Sequence, residues 1–163
     1  MIFKKIDHFI ETPIFEIGEK SHEFLVPNSS VSLCYYDLKF LNSEFVNSVC
    51  SFFKNVSFDV LYATITGNGS SLFPHRDHGI TNAFNYYLTT NSEITQFWKP
   101  KQNAIPFSYE KGMPKNIYFY EDLNLVDEFV AYPNDCYFLN VSEIHSVKQL
   151  NHEMNRSFIS FQW

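Results

Sequence analysis

The chain has 163 residues and a formal net charge of −6, with 12 Lys and Arg against 18 Asp and Glu. That length suits one domain able to bury ~70% of the surface its unfolded form exposes, and an acidic chain without a basic run gives no footprint for nucleic acid. Three widely spaced cysteines, Cys34, Cys50 and Cys136, suit a reducing cytoplasmic compartment. No stretch approaches the ~20 apolar residues of a membrane span or reads as a signal peptide, so no membrane partner is expected.

Residues 1 to 40 read as irregular, with short extended pieces at 3–10, 14–17 and 31–36 and two isolated histidines, His8 and His22. The segment Asn42 to Val56 is the one clear helix. Phe45, Val46, Val49, Phe52, Phe53 and Val56 recur at helical spacing, and Asn42 or Ser43 can cap it. Its Phe stripe is predicted to pack on the outside of a sheet. Residues 1–57 then form an N-terminal extension, and 58–163 the core of a single domain.

From Phe58 the period changes to two. Leu61, Ala63 and Ile65 share one face of a strand, and Tyr62, Thr64 and Thr66 the other. A Gly67–Ser71 turn leads into a strand from Leu72 through Asp77, and Ala83–Leu88 and Ile94–Trp98 follow. A connection bounded by Pro100, Pro106 and Pro114 precedes strands at 117–120, 125–132 and 136–140. A short strand from His145 and a terminal one from Arg156 to Trp163 close the chain. An aromatic content of 18% and seven or eight strands at about 8–12-residue spacing argue a mainly β sandwich or jelly roll, whose connections bring distant strands side by side.

Chemistry concentrates at Pro74-His75-Arg76-Asp77-His78-Gly79. Residues two apart on an extended backbone point to one face, so His75 and Asp77 can converge. An imidazole and a carboxylate supply two of the three ligands of the 2-His-1-carboxylate face that holds Fe(II) with open positions, and His145 is the candidate third. Arg156 lies on a largely buried strand, where a guanidinium needs an anionic partner. Arg76 should face away, and His78 and His152 read as structural or solvated.

The ordered set His75-x-Asp77, His145, Arg156, with the flanks Gly67–His75 and Pro133–Phe138, resembles the Fe(II)/2-oxoglutarate-dependent oxygenases, in particular their prolyl-4-hydroxylase-like branch. The resemblance covers residues 58–163. It implies a double-stranded β-helix (jelly roll) with Fe(II) on His75, Asp77 and His145. It also implies 2-oxoglutarate as co-substrate with Arg156 on its distal carboxylate, and a hydroxylase acting with O2 on a peptide side chain or small metabolite.

Two positions depart from the family. Phe158 stands where a Ser or Thr often follows the Arg, and Thr66 where a Tyr often precedes the HxD. Tyr62, Thr64 and Thr66, or Tyr87 and Asn85 on the next strand, become candidate contacts for 2-oxoglutarate. Trp98 and Gln96 are candidate substrate contacts at the rim. The competing readings are a cupin-type metal-dependent isomerase or hydrolase, against which Asp77 speaks, and a non-catalytic jelly-roll binding module. Nucleic-acid demethylation is disfavoured, because Gln162 stands where a second Arg is carried by those relatives.

Overall fold

The period-two stretches fold as strands of two antiparallel sheets. The computed structural model describes residues 1–7, 11–27, 29–54, 56–69, 71–108, 115–150 and 153–163. In chain order the elements are β1 (Phe3–Lys5), β2 (Phe15–Leu25), β3 (Ser32–Leu41), α1 (Ser43–Phe52), β4 (Asp59–Asn68), β5 (Ser71–His75) and β6 (Asn82–Thr89). They continue with β7 (Ile94–Pro100), β8 (Leu123–Val130), β9 (Cys136–Asn140), β10 (Ile144–Lys148) and β11 (Glu153–Gln162). The larger sheet has the order β1-β9-β6-β11-β4-β3-β2 and the smaller β5-β10-β7-β8. From β4 onward the chain passes back and forth between the sheets, which makes the fold a double-stranded β-helix, or jelly roll. No helix among the described residues is long and apolar enough to cross a membrane.

The first forty residues are more regular than their sequence suggests. β1 pairs with β9, and β2 and β3 extend the larger sheet beyond β4. β2 is an edge strand whose side chains are mostly exposed, so it never shows the alternation that a half-buried strand must show. Residue 117 makes only isolated bridges to His75 and Phe107, and a 3-10 turn at Tyr120–Asp122 stands where a strand was expected. His8, Pro114 and His152 lie outside the described residues.

The helix ends four residues before the predicted Val56. Phe53 leaves helical geometry, and its ring packs against Trp163 and Phe138 with centroids 5.0 and 5.8 Å away. Asn42 sits at the N-cap without a capping side-chain bond, because its Oδ1 accepts the Ile14 N–H at 2.8 Å. Phe45 and Val49 are fully buried on the outer face of the larger sheet, among Phe84, Tyr86, Ile159 and Phe161. Each such side chain is worth roughly 1.5–3 kcal/mol.

A second apolar layer fills the space between the sheets, with Ala63, Ile65, Leu72, Phe97, Leu139, Val147 and Phe158 in it. Gly67 has φ +121°, and a Cβ there would overlap the backbone of Ser30. Only glycine lets β4 run so close to the turn before β3.

Candidate metal centre

The topology makes the site. β5 pairs with β10 so that His75 and His145, seventy residues apart, face each other across the ladder. Two backbone bonds hold the segment after β5: Arg76 N–H to the Asn116 carbonyl at 3.0 Å and Asp77 N–H to the Val141 carbonyl at 3.1 Å. Asp77 Oδ1 then lies 3.4 Å from His75 Nε2 and 3.7 Å from His145 Nε2. The three candidate ligand atoms all fall within 4.8 Å of one another.

The other ring nitrogens decide what those atoms present. His75 Nδ1 donates to the Phe73 carbonyl at 2.7 Å and His145 Nδ1 to the Glu143 carbonyl at 3.0 Å. Carbonyl oxygens only accept, so each neutral ring keeps its Nε2 lone pair, and both point toward a carboxylate that also only accepts. Three acceptors with no donor among them need a cation at their centre, either a proton or a metal ion. Backbone carbonyls fixing the tautomer are also the arrangement that orients metal-binding histidines. Without a metal the proton falls to His75. Burial pulls its pKa down, but the hydrogen bond and charge of Asp77 outweigh it and raise the value above 6.5. Burial and the neighbouring His75 charge lower His145. Burial works to raise Asp77, yet the two imidazoles hold it below the usual carboxylate range.

Below the cluster lies an inner cavity of about 50 Å³, lined by His75, Asp77 and His145 and by Arg156, Asn85, Tyr87 and Thr95. Phe97 pairs with His145 and Thr95 with Val147, so Thr95 sits about 7 Å along the strand from the metal end. Arg156 Nη1 donates to Thr95 Oγ1 at 2.8 Å and Nη2 to the Glu93 carbonyl at 2.6 Å. Its guanidinium carbon lies 5.1 Å from the centre of the Tyr87 ring. The anionic partner that burial demands is Glu93, whose Oε2 is 3.8 Å from Arg156 Nε. Asn85 Oδ1, Arg156 Nε and Ser160 Oγ are buried on this cavity wall with no hydrogen-bond partner.

Of the residues picked from sequence, His75, Asp77, His145, Arg156, Asn85 and Tyr87 share this cavity. Tyr62, Thr64 and Thr66 do not. On β4 it is Ala63 and Ile65 that face the space between the sheets, while Tyr62 packs in the outer cluster under the helix. Trp98 and Gln96 are also turned outward. Trp98 Nε1 donates to Ser146 Oγ at 2.9 Å and Gln96 Nε2 to Glu128 Oε2 at 2.9 Å, so the rim role expected for them is replaced by structural bonds on the far face of the smaller sheet.

Glu93 and Thr95 were missed. The signal available was a Glu placed at the start of a strand after a polar turn, with a Thr two residues on. Phe158 shares the cavity wall with Arg156, so the position that departs from the family does face the site. Arg76 stacks 5.8 Å over the Tyr118 ring and forms no ion pair among the described residues. Cys136 is a buried packing residue whose thiol burial pushes up to about 12.

A wider groove of about 830 Å³ opens on the other side of the cluster, with His75, Asp77, Tyr35, Leu72 and Gln162 common to both walls. Small-molecule sites span roughly 300–1,000 Å³, so the groove is large enough to seat a substrate against the cluster.

Fold and site together define a jelly-roll protein with a three-residue cluster that could hold a metal ion. No family model and no curated protein matches the chain. Among solved structures it is similar to the E. coli protein ycfD, at 12% identity and TM-score 0.45, covering 84% of this chain and 34% of that one. It is also similar to the oxalate decarboxylase OxdC of Bacillus subtilis in a mutant form, at 13% identity and TM-score 0.39 over 81% and 26% of the two chains. The same enzyme at pH 4.6 matches at 12% and 0.39 over 90% and 27%. The chain thus spans about a third or less of each neighbour's length, and likeness at this level says nothing by itself about what the chain does.

Proposed function

We propose that the chain is an Fe(II)- and 2-oxoglutarate-dependent dioxygenase, hydroxylating a peptide side chain or small metabolite with O2 consumed and succinate and CO2 released. The observation that carries the reading is one cavity with the His75/Asp77/His145 cluster at one end and a buried arginine at the other. The donor set fits Fe(II): two imidazoles and one carboxylate on a single face leave the remaining positions open. Ser160 Oγ, buried on the cavity wall without a hydrogen-bond partner, can donate to a small acid seated beside Arg156.

Bound together, iron and the keto acid supply the oxidising power to functionalise an unactivated C–H bond with O2. The chain's own contribution is placement. The Phe73 and Glu143 carbonyls fix both imidazole tautomers, and Asp77 stays ionised between them. Arg156, whose terminal nitrogens each give one proton to Thr95 Oγ1 and to the Glu93 carbonyl, keeps a second proton on each for a carboxylate. Leu139, Val147 and Phe158 give the inner space an apolar side, and the prime substrate would approach through the outer groove.

Anaerobic titration with Fe(II) and 2-oxoglutarate, followed by admission of O2, tests this. A weak visible charge-transfer band and slow succinate release are expected, and both should vanish in His75→Ala and Asp77→Ala. A metal-dependent isomerase or hydrolase on the same fold is the second reading, favoured by Glu93, which balances Arg156 before any ligand enters. Metal binding indifferent to 2-oxoglutarate would select it.

A further inference from the structure

We propose that Glu93 is a specificity-determining residue: it sets how far the inner cavity distinguishes a dicarboxylic from a monocarboxylic 2-oxo acid. The proposal rests on the 2-oxo-acid reading above and concerns only the end of the cavity remote from the metal. Arg156 is 2% exposed and Glu93 0%, so neither charge is screened by solvent. Glu93 is held rigidly. Its Oε1 accepts the Asn155 N–H and its Oε2 the Asn91 N–H, each at 2.7 Å, which pins the turn before β7 to the start of β11.

A lone buried guanidinium would reward an incoming carboxylate with its full charge. Here Glu93 Oε2 stands 3.8 Å from Nε, and Thr95 and the Glu93 carbonyl already take a proton from each terminal nitrogen. A distal carboxylate arriving there turns a balanced pair into a buried group of net charge −1, with Glu93 repelling it in a low-dielectric setting. An acid with an uncharged tail meets no such repulsion from Glu93, and it finds Leu139, Val147 and Phe158 on the wall beside the polar Asn85, Thr95 and Ser160. The 2-oxo acid head, which would meet the metal cluster, is the same in both classes. Discrimination therefore falls on the Arg156–Glu93 end.

The test uses two five-carbon acids that differ only there: 2-oxoglutarate, and 2-oxopentanoate with a methyl in place of the distal carboxylate. Calorimetric titration into Mn(II)-loaded protein, with metal occupancy followed by electron paramagnetic resonance, reads affinity without turnover. In the wild-type protein the two dissociation constants should lie within tenfold of each other. In Glu93→Gln, 2-oxoglutarate should tighten by tenfold or more, about 1.4 kcal/mol, while 2-oxopentanoate moves less than threefold. A wild-type preference for 2-oxoglutarate beyond tenfold overturns the proposal, and so does an unchanged ratio in the variant. If Glu93→Gln fails to give a cooperative thermal transition, the wild-type ratio alone decides. Binding of neither acid while Mn(II) is bound would instead remove the 2-oxo-acid reading itself, an outcome distinct from either ratio.

Discussion

Loading the cluster with metal should raise the melting temperature, and the size of the rise follows from its geometry. Three acceptors within 4.8 Å and no donor among them leave the folded chain with a site that the unfolded chain lacks. A ligand that binds only the folded state adds about 2.7 kcal/mol at a concentration 100 times its dissociation constant. For a chain of 163 residues, at roughly 2–4 °C per kcal/mol, that is a shift of about 5–11 °C. Asp77→Asn removes the one anionic ligand. Loss of supporting contacts alone weakens metal sites about 10–100-fold, and a hundredfold loss leaves only about 0.4 kcal/mol at the same metal concentration, a shift near 1 °C.

The pH dependence has a sign as well. In the metal-free chain the stability tied to His75 is fully present below pH 6.5 and is lost as pH rises through its raised value. The stability tied to neutral His145 runs the other way, being lost as pH falls from 6.5 through its lowered value. The contribution of Asp77 is present above 3.8 and is lost as pH falls through its lowered value. Metal displaces the His75 proton, so the metal-induced shift should grow as pH climbs through the raised His75 pKa. Differential scanning fluorimetry under argon with Mn(II), from about pH 6 to about pH 8, reads both effects. A full shift retained in Asp77→Asn, or one that shrinks with rising pH, would refute this reasoning.

Arg156→Leu leaves the Glu93 carboxylate buried without its cation and should cost about 3–5 kcal/mol in urea melts. The double variant Glu93→Leu/Arg156→Leu should recover a large part of that, since both charges go together. Gly67→Ala, forced to φ +121° against the Ser30 backbone, should lose at least ~2 kcal/mol in the same assay. Trp98→Phe gives up the bond to Ser146 and about 1 kcal/mol, yet calorimetry should find its affinities for Mn(II) and 2-oxoglutarate unchanged, because the ring faces away from the cavity.

Most strands from β4 onward, the convergence of His75, Asp77 and His145 and the burial of Arg156 were legible in the sequence, and which way two strands turn was not. Along β11 the alternation is unambiguous: Arg156 and Phe158 face the cavity, while Ile159 and Phe161 lie in the outer cluster. Along β4 the alternation is equally clean, but its two faces differ little in polarity, because the helix covers the outer one and buries apolar rings there too. The hydroxyls of Thr64 and Thr66 then read as ligand contacts although Ala63 and Ile65 face inward. Trp98 and Gln96 were likewise misplaced on β7, where Thr95 lines the cavity and Phe97 joins the core between the sheets. Period alone fixes which residues share a face, and only the partner layer fixes which face is inside.

Glu93 was out of reach for a different reason. Its meaning lies in Arg156, 63 residues further along the chain, and a lone Glu beside a polar turn reads as solvated. What joins the two ends of the site is β10. It lies between β5 and β7, and its register sets His145 against His75 on one side and Val147 against Thr95 on the other. A slip of one residue would turn His145 to the outer face and would also shift His145 relative to the strand that anchors Arg156. The fully buried Ile144, alternating with His145, pins that register from the opposite face. The spacing between the cluster and the guanidinium is therefore a property of how the smaller sheet is packed on both sides.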